Sequence, residues 1–191
     1  MQINEKSAMI DNDFINKIVE MNKSDNDFIR VVTEVFRELN VDPAIHPLVL
    51  QNEVLTSNIR IQKMLDEQIV KTPAFKDIHK DDETKKIYYS FLVLELYKKL
   101  TGVELELGDK TVFTYWSKRS SLGEIHSLAT CIICGCGVFL SDDKDSRKLG
   151  YIIEQSYWGH ILVHSRQAVV NLLREKGTEL SRKDLNSFSH V

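Results

Sequence analysis

The 191-residue sequence is poor in glycine (8), proline (3) and cysteine (3). The few glycines form no Walker or Rossmann loop, so neither nucleotide-cradling motif is present. Cys131, Cys134 and Cys136 are odd in number and lie within six residues. Such a set cannot staple a secreted fold and is expected in a reducing compartment. An excess of positive charge is also missing: 25 basic against 28 acidic side chains leave a net charge of −3. Bulk charge therefore gives no signal for nucleic acid, although a metallonuclease needs only a local basic rim. The longest apolar stretch, Ile87 to Leu100, is broken by Ser90, Glu95 and the pair Lys98-Lys99, too short and charged to cross a bilayer. The first residues carry acids and asparagines where an export signal needs a basic start and an apolar run. A cytoplasmic protein without a membrane partner is expected.

What is there suits one globular unit over residues 1–191, since 42% apolar residues suffice for a core. Ser7 to Ile10 reads as a strand feeding a helix through Phe14, Ile15, Ile18 and Val19. Phe28, Val31, Val32, Val35, Phe36 and Leu39 follow a helical rhythm ended by Asn40. The segment 41–47, with two prolines, suggests an edge strand, and Pro47 opens a helix that carries Glu53. Helices over 59–70 and 83–100 read as a helical hairpin added within 58–118, and Thr111 to Trp116 is open between strand and helix. Ser120 or Ser121 caps a helix with the apolar face Ile125, Leu128, Ala129, Ile132 and Ile133, stopped by Gly135. Val138 to Leu140 reads as a strand, 145–155 as a helix, 160–164 as a second buried strand and 166–176 as a helix. This alternation predicts an α/β fold of three layers, α/β/α, around a mainly parallel sheet.

In parallel sheets ligands bind beyond the carboxyl ends of strands. Asp11 and Asp13 follow the first predicted strand; Asp142, Asp143 and Asp145 follow the Val138–Leu140 strand. A single Asp there ordinarily caps the next helix. Five carboxylates at two strand ends repel one another unless cations or solvent relieve them. Glu124 falls in the first turn of the helix opened by Ser120 or Ser121, and Glu53 on an earlier helix; each alone is an ordinary helical acid.

Four blocks then stand in order: Met9-Ile10-Asp11-Asn12-Asp13, Val49-Leu50-Gln51-Asn52-Glu53, Leu122-Gly123-Glu124-Ile125 and Phe139-Leu140-Ser141-Asp142-Asp143-Lys144-Asp145. Their order resembles the PIN-domain ribonucleases, with residues 58–118 least accounted for. Asn12 and Asp13 depart from the commoner Asp-Thr-Asn or Asp-Thr-Ser form. The resemblance implies catalytic Asp11, Glu53, Glu124 and Asp143, metal ligands drawn from Asp11, Glu124, Asp143 and Asp145, and secondary roles for Asp13, Asp142 and Ser141. It implies Mg²⁺ or Mn²⁺, since an all-oxygen donor set suits hard cations. It also implies cleavage of single-stranded RNA, in the setting of a toxin–antitoxin pair, with an antitoxin protein and a second copy of the chain as partners.

Lys118, Arg119, Lys144, Arg147 and Lys148 flank the blocks and are candidates for backbone phosphates, weighed against plain surface solubility. The cysteines lack a second ligand pair at zinc spacing and read as small buried residues. His126, two positions from Glu124, is a weak general base, and His160 and His164 read as structural. Trp116 and Trp158 are candidates for base stacking but fit core anchors better. Two other functions compete: an inactive PIN-like scaffold, for which the 58–118 helices offer a surface, and a structure-selective DNA nuclease.

Overall fold

The structure, a computed structural model, describes residues 3–79, 81–117 and 121–189. Four short strands, β1 (Ser7–Ile10), β2 (Asp42–Ala44), β3 (Val138–Leu140) and β4 (Leu162–His164), form one all-parallel sheet in the order β2-β1-β3-β4. The chain starts in the middle: β2 adds on one side of β1, and β3 then β4 on the other. The order therefore reverses between β1 and β3, and the crevice beyond their carboxyl ends is where such sheets bind ligands.

Helices cover both faces. On one, Ala8, Ile10 and Leu140 meet Phe14 and Ile18 of α1 (Asn12–Ile18), Phe28 and Val32 of α2 (Asp25–Leu39), Val169 of α9 (Arg166–Glu175) and Phe188 of α10 (Arg182–Ser189). On the other, Met9 and Phe139 meet Ile125 and Leu128 of α7 (Leu122–Cys134) and Leu149 of α8 (Lys144–Gln155). Neighbours along β1 thus serve opposite cores, the two-residue period of a strand buried on both sides. Between β2 and α7 run α3 (Pro47–Asn52), α4 (Ile59–Asp66), α5 (Phe75–His79) and α6 (Glu83–Thr101). Among the described residues no helix is long and apolar enough to cross a membrane.

Several sequence expectations are corrected. The hairpin within 58–118 is not an addition: Tyr89, Leu92, Val93 and Leu96 of α6 are fully buried in the second core, against α7 and α8. The 59–70 helix ends at Asp66, because Gln68 takes a left-handed backbone at φ 55°. Thr111 to Trp116 forms hydrogen-bonded turns in place of a strand or helix. The 160–164 strand is shorter and is the sheet's edge, so Leu162 is 46% exposed where a buried strand was expected. Glu53 is not inside a helix but is the C-cap of α3. Helices α5 and α10 had no counterpart in the sequence reading; Phe188 on α10 packs against Phe14 and closes the first core.

One glycine is fixed by close packing. A Cβ on Gly150 would lie 2.9 Å from a Val163 methyl, where α8 presses on β4. An exposed helix gains about 1 kcal/mol when Gly becomes Ala; here the β-branched neighbour is stiff and the sign reverses. Gly150→Ala is expected to lose about 1–3 kcal/mol in urea unfolding, and a gain in stability would contradict the packing described.

Candidate acidic site

The crevice between β1 and β3 is built by the sheet continuing past its strands. Asp11 N–H donates to Leu140 O at 2.9 Å and Ser141 N–H to His164 O at 3.0 Å, so both residues are held by the ladder. Asp11 then N-caps α1, accepting from Asn12 N–H at 2.8 Å. The other oxygen of Asp11 accepts from Ser141 Oγ at 3.0 Å. Because the one Ser141 proton goes to Asp11, the Ser146 hydroxyl, 2.8 Å away, must donate to Ser141. Ser141 Oγ also accepts from Asp143 N–H. Asp143 N-caps α8 by accepting from Asp145 N–H at 2.6 Å.

Glu53 and Glu124 enter from the α7 side. Glu124 sits in the first turn of α7, and the Glu53 carboxylate lies over the neighbouring Gly123, 3.1 and 3.3 Å from where a Cβ would stand. A Cβ there would require Glu53 and Val49 to give way. The sequence contained the clue in Gly123-Glu124, but the contact that gives it meaning crosses 70 residues. Ser121, at the N-cap of α7, makes no capping bond with its side chain and donates instead to Asp145 Oδ2 at 3.0 Å.

Electrostatics tie four of these acids together. Burial pushes the Asp11 carboxyl up to about 6, with Asp13 and Asp143 adding repulsion. Burial and the Asp11 charge push Glu53 up to about 7. Burial, then the charges of Asp11, Asp143 and Glu53, push Glu124 up to about 8. None of the four forms an ion pair among the described residues, whereas the acids around them are occupied. Asp142 accepts from Arg166 N–H at 2.9 Å and from Arg166 Nε at 2.6 Å, with Lys17 Nζ at 3.8 Å. Asp13 pairs with Lys17. Asp142 and Asp13 thus balance two cations, roles that Lys17 at i+4 from Asp13 could have suggested and that distant Arg166 could not.

The donor set is all oxygen, with no His or Cys among the four, and suits a hard divalent cation better than zinc. As the side chains lie, no three His, Cys, Asp or Glu groups among the described residues converge to hold a metal ion. The two findings operate at different ranges: repulsion couples carboxylates over several ångströms, while coordination needs oxygens within about 2.0–2.6 Å of one point. Asp145 is exposed and turned to Ser121. Lys144 and Arg147 are exposed on the opening turns of α8 beside Asp143. Lys148 reaches to Leu100 O at 3.2 Å. Lys118, Arg119 and Ser120 lie outside the described residues.

The remaining candidates are structural. Cys131 and Cys136 are buried, and none of the three cysteines forms a disulfide. His126 is buried and bonded to Tyr89. Trp158 packs edge-on to Phe91 under Lys99, and Trp116 stacks beside His126. The chain matches no protein-family model, no curated protein and no solved structure.

Three carboxyls with raised pKa bind protons more tightly in the folded than in the unfolded chain. Stability from that source is full below about pH 4 and falls as pH rises through 6 to 8. Above about pH 6.5, where the buried neutral His46 and His126 no longer add stability as pH rises, metal-free protein is therefore expected to weaken up to pH 8.5, and Glu124→Gln to recover roughly 1–2 kcal/mol at the upper end. Urea titrations across that range would check both; a Glu124→Gln protein no more stable than wild type at pH 8.5 would contradict the repulsion.

Proposed function

We propose that the chain is a divalent-metal-dependent endoribonuclease of PIN-like type, cleaving single-stranded RNA at the crevice between β1 and β3. The observation that carries this reading is four carboxylates without cationic partners among the described residues, three of them pushed up by burial and by neighbouring acids of the group, at the point where the strand order reverses. Protein stability alone gives no reason to gather them, since Asp11 raises the cost of ionising Glu53, and Asp11, Asp143 and Glu53 raise that of Glu124. Asp11, Glu53, Glu124 and Asp143 are the residues that would hold Mg²⁺ or Mn²⁺, with Asp145 one turn-start further out. Such ions, when bound, supply charge neutralisation and an activated water for in-line displacement at phosphorus.

The chain's own groups then have separate tasks. Ser141 fixes the rotamer of Asp11, and Ser146 fixes the direction of the Ser141 proton. Asp142 holds Arg166 and Lys17, which keeps those cations from collapsing onto the four free acids. Lys144 and Arg147, exposed on the opening turns of α8, would meet the phosphates flanking the scissile one. A cytoplasmic setting, a toxin–antitoxin role with a protein antitoxin, and pairing with a second copy belong to the same proposal. A scaffold reading is favoured by the exposed stripe Ile87, Tyr88 and Phe91 on α6, which would serve a protein partner without using the acids.

One assay separates these readings. Mixed-sequence single-stranded RNA, single-stranded DNA and flap DNA are each incubated with wild type and Asp143→Asn under Mn²⁺, Mg²⁺ and chelator. Asn still caps a helix, so the fold survives the change. RNA cleavage that needs metal and falls roughly a hundredfold or more in Asp143→Asn is the expected result. Cleavage of DNA alone would move the activity to a DNA nuclease, and no metal-dependent cleavage of any of the three would leave the scaffold.

A further inference from the structure

Behind the acids lies a buried chain of three side chains that their ionisation chemistry does not use. Tyr89 on α6 has its hydroxyl 2.9 Å from His46 Nε2 and 2.6 Å from His126 Nδ1. His46 and His126 stack with centroids 5.1 Å apart, and all three side chains are at most 1% exposed. The donors and acceptors settle where each proton sits. His46 is the N-cap of α3 and its Nδ1 accepts from Leu48 N–H at 3.2 Å, so that nitrogen carries no proton. The neutral ring is protonated at Nε2 and donates to Tyr89. We assign the single tyrosine proton to His126 Nδ1, 2.6 Å away, which leaves His126 protonated at Nε2 as well.

This relay joins the two segments that carry the glutamates. His46 opens the six-residue helix α3 that Glu53 closes, and His126 is two residues along α7 from Glu124. Tyr89 ties both to α6, whose buried face is anchored in the second core. A buried network of this kind holds its members in one geometry because every unmet bond is costly. The contact it sets is the one between the Glu53 carboxylate and Gly123, where the carboxylate lies 3.1 Å from the place a Cβ would take.

We propose that Tyr89 is the positioning residue of the acidic site: through the His46–Tyr89–His126 relay it fixes α3 against α7 and so sets the spacing of Glu53 and Glu124. The metal-binding half of its test rests on the nuclease reading; the structural half does not. Tyr89→Phe keeps the ring and its stacking on Phe113 and removes only the hydroxyl. Gly150→Ala, which loosens α8 against β4 away from the relay, serves as a control for stability loss.

Long-range ¹⁵N–¹H spectra of metal-free wild type are expected to show both His46 and His126 as Nε2–H tautomers, and proton–proton NOEs to show the Glu53–Gly123 contact. In Tyr89→Phe that contact is lost while the fold remains; in Gly150→Ala it persists. With Mn²⁺ alone as the probe, calorimetry is expected to show affinity falling about tenfold in Tyr89→Phe and unchanged in Gly150→Ala. An Nδ1–H tautomer at either histidine, or a Glu53–Gly123 contact that survives Tyr89→Phe, would overturn the proposal. So would equal losses of Mn²⁺ affinity in the two variants. Wild type that binds no Mn²⁺ would sink the metal reading of the site, and the NMR comparison would still decide the role of Tyr89.

Discussion

Repulsion among carboxylates in a half-buried crevice is the constraint around which this molecule is arranged. Asp11, Glu53, Glu124 and Asp143 come from four separate parts of the chain to one end of a four-stranded sheet. Burial and the charges of their neighbours make Asp11, Glu53 and Glu124 harder to ionise. The fold tolerates the arrangement by three means. Helix N-termini and neighbouring hydroxyls stabilise Asp11 and Asp143 as acceptors. Nearby acids outside the group take up the local cations, as Asp142 does for Arg166. The glutamates retain protons near neutral pH. On the proposed reading, a divalent cation would relieve the repulsion and displace those protons.

The site depends on both layers of the fold. Asp11, Ser141 and Asp143 are carried by strands whose hydrogen-bond ladder runs on into the loop. Glu53, at the C-cap of α3, and Glu124, in the first turn of α7, stand on separate helices and need a separate fixture. That fixture comes from α6, a long helix whose buried tyrosine bridges a histidine from each glutamate segment. The region between β2 and α7 is therefore part of the site's construction, and its exposed side alone is left for other contacts.

Much of this was legible in the sequence because its signals are local. Short apolar runs marked β1 and β3, the 3.6-residue period marked α2 and α7, and an Asp directly after Ile10 and two acids shortly after Leu140 marked the end of the sheet where the acids gather. The parallel alternation of the C-terminal half is present. What escaped depends on distant pairing. Nothing near Arg166 says that it neutralises Asp142, 24 residues away. Nothing in the α6 sequence, whose apolar and aromatic residues occupy nearly every side, says which face holds Tyr89 against two histidines. The edge position of β4 follows from strand order, which short apolar runs do not encode, and α10 has too few apolar residues to stand out until Phe188 meets Phe14.

The most direct test of the central claim is the number of protons released when Mn²⁺ binds at pH 7, from calorimetry in buffers of different ionisation enthalpy. Coupled glutamates pushed up to about 7 and about 8 predict release of roughly one proton per site filled. Binding without proton release, or no binding at all, would mean that the four acids do not act as one cation site.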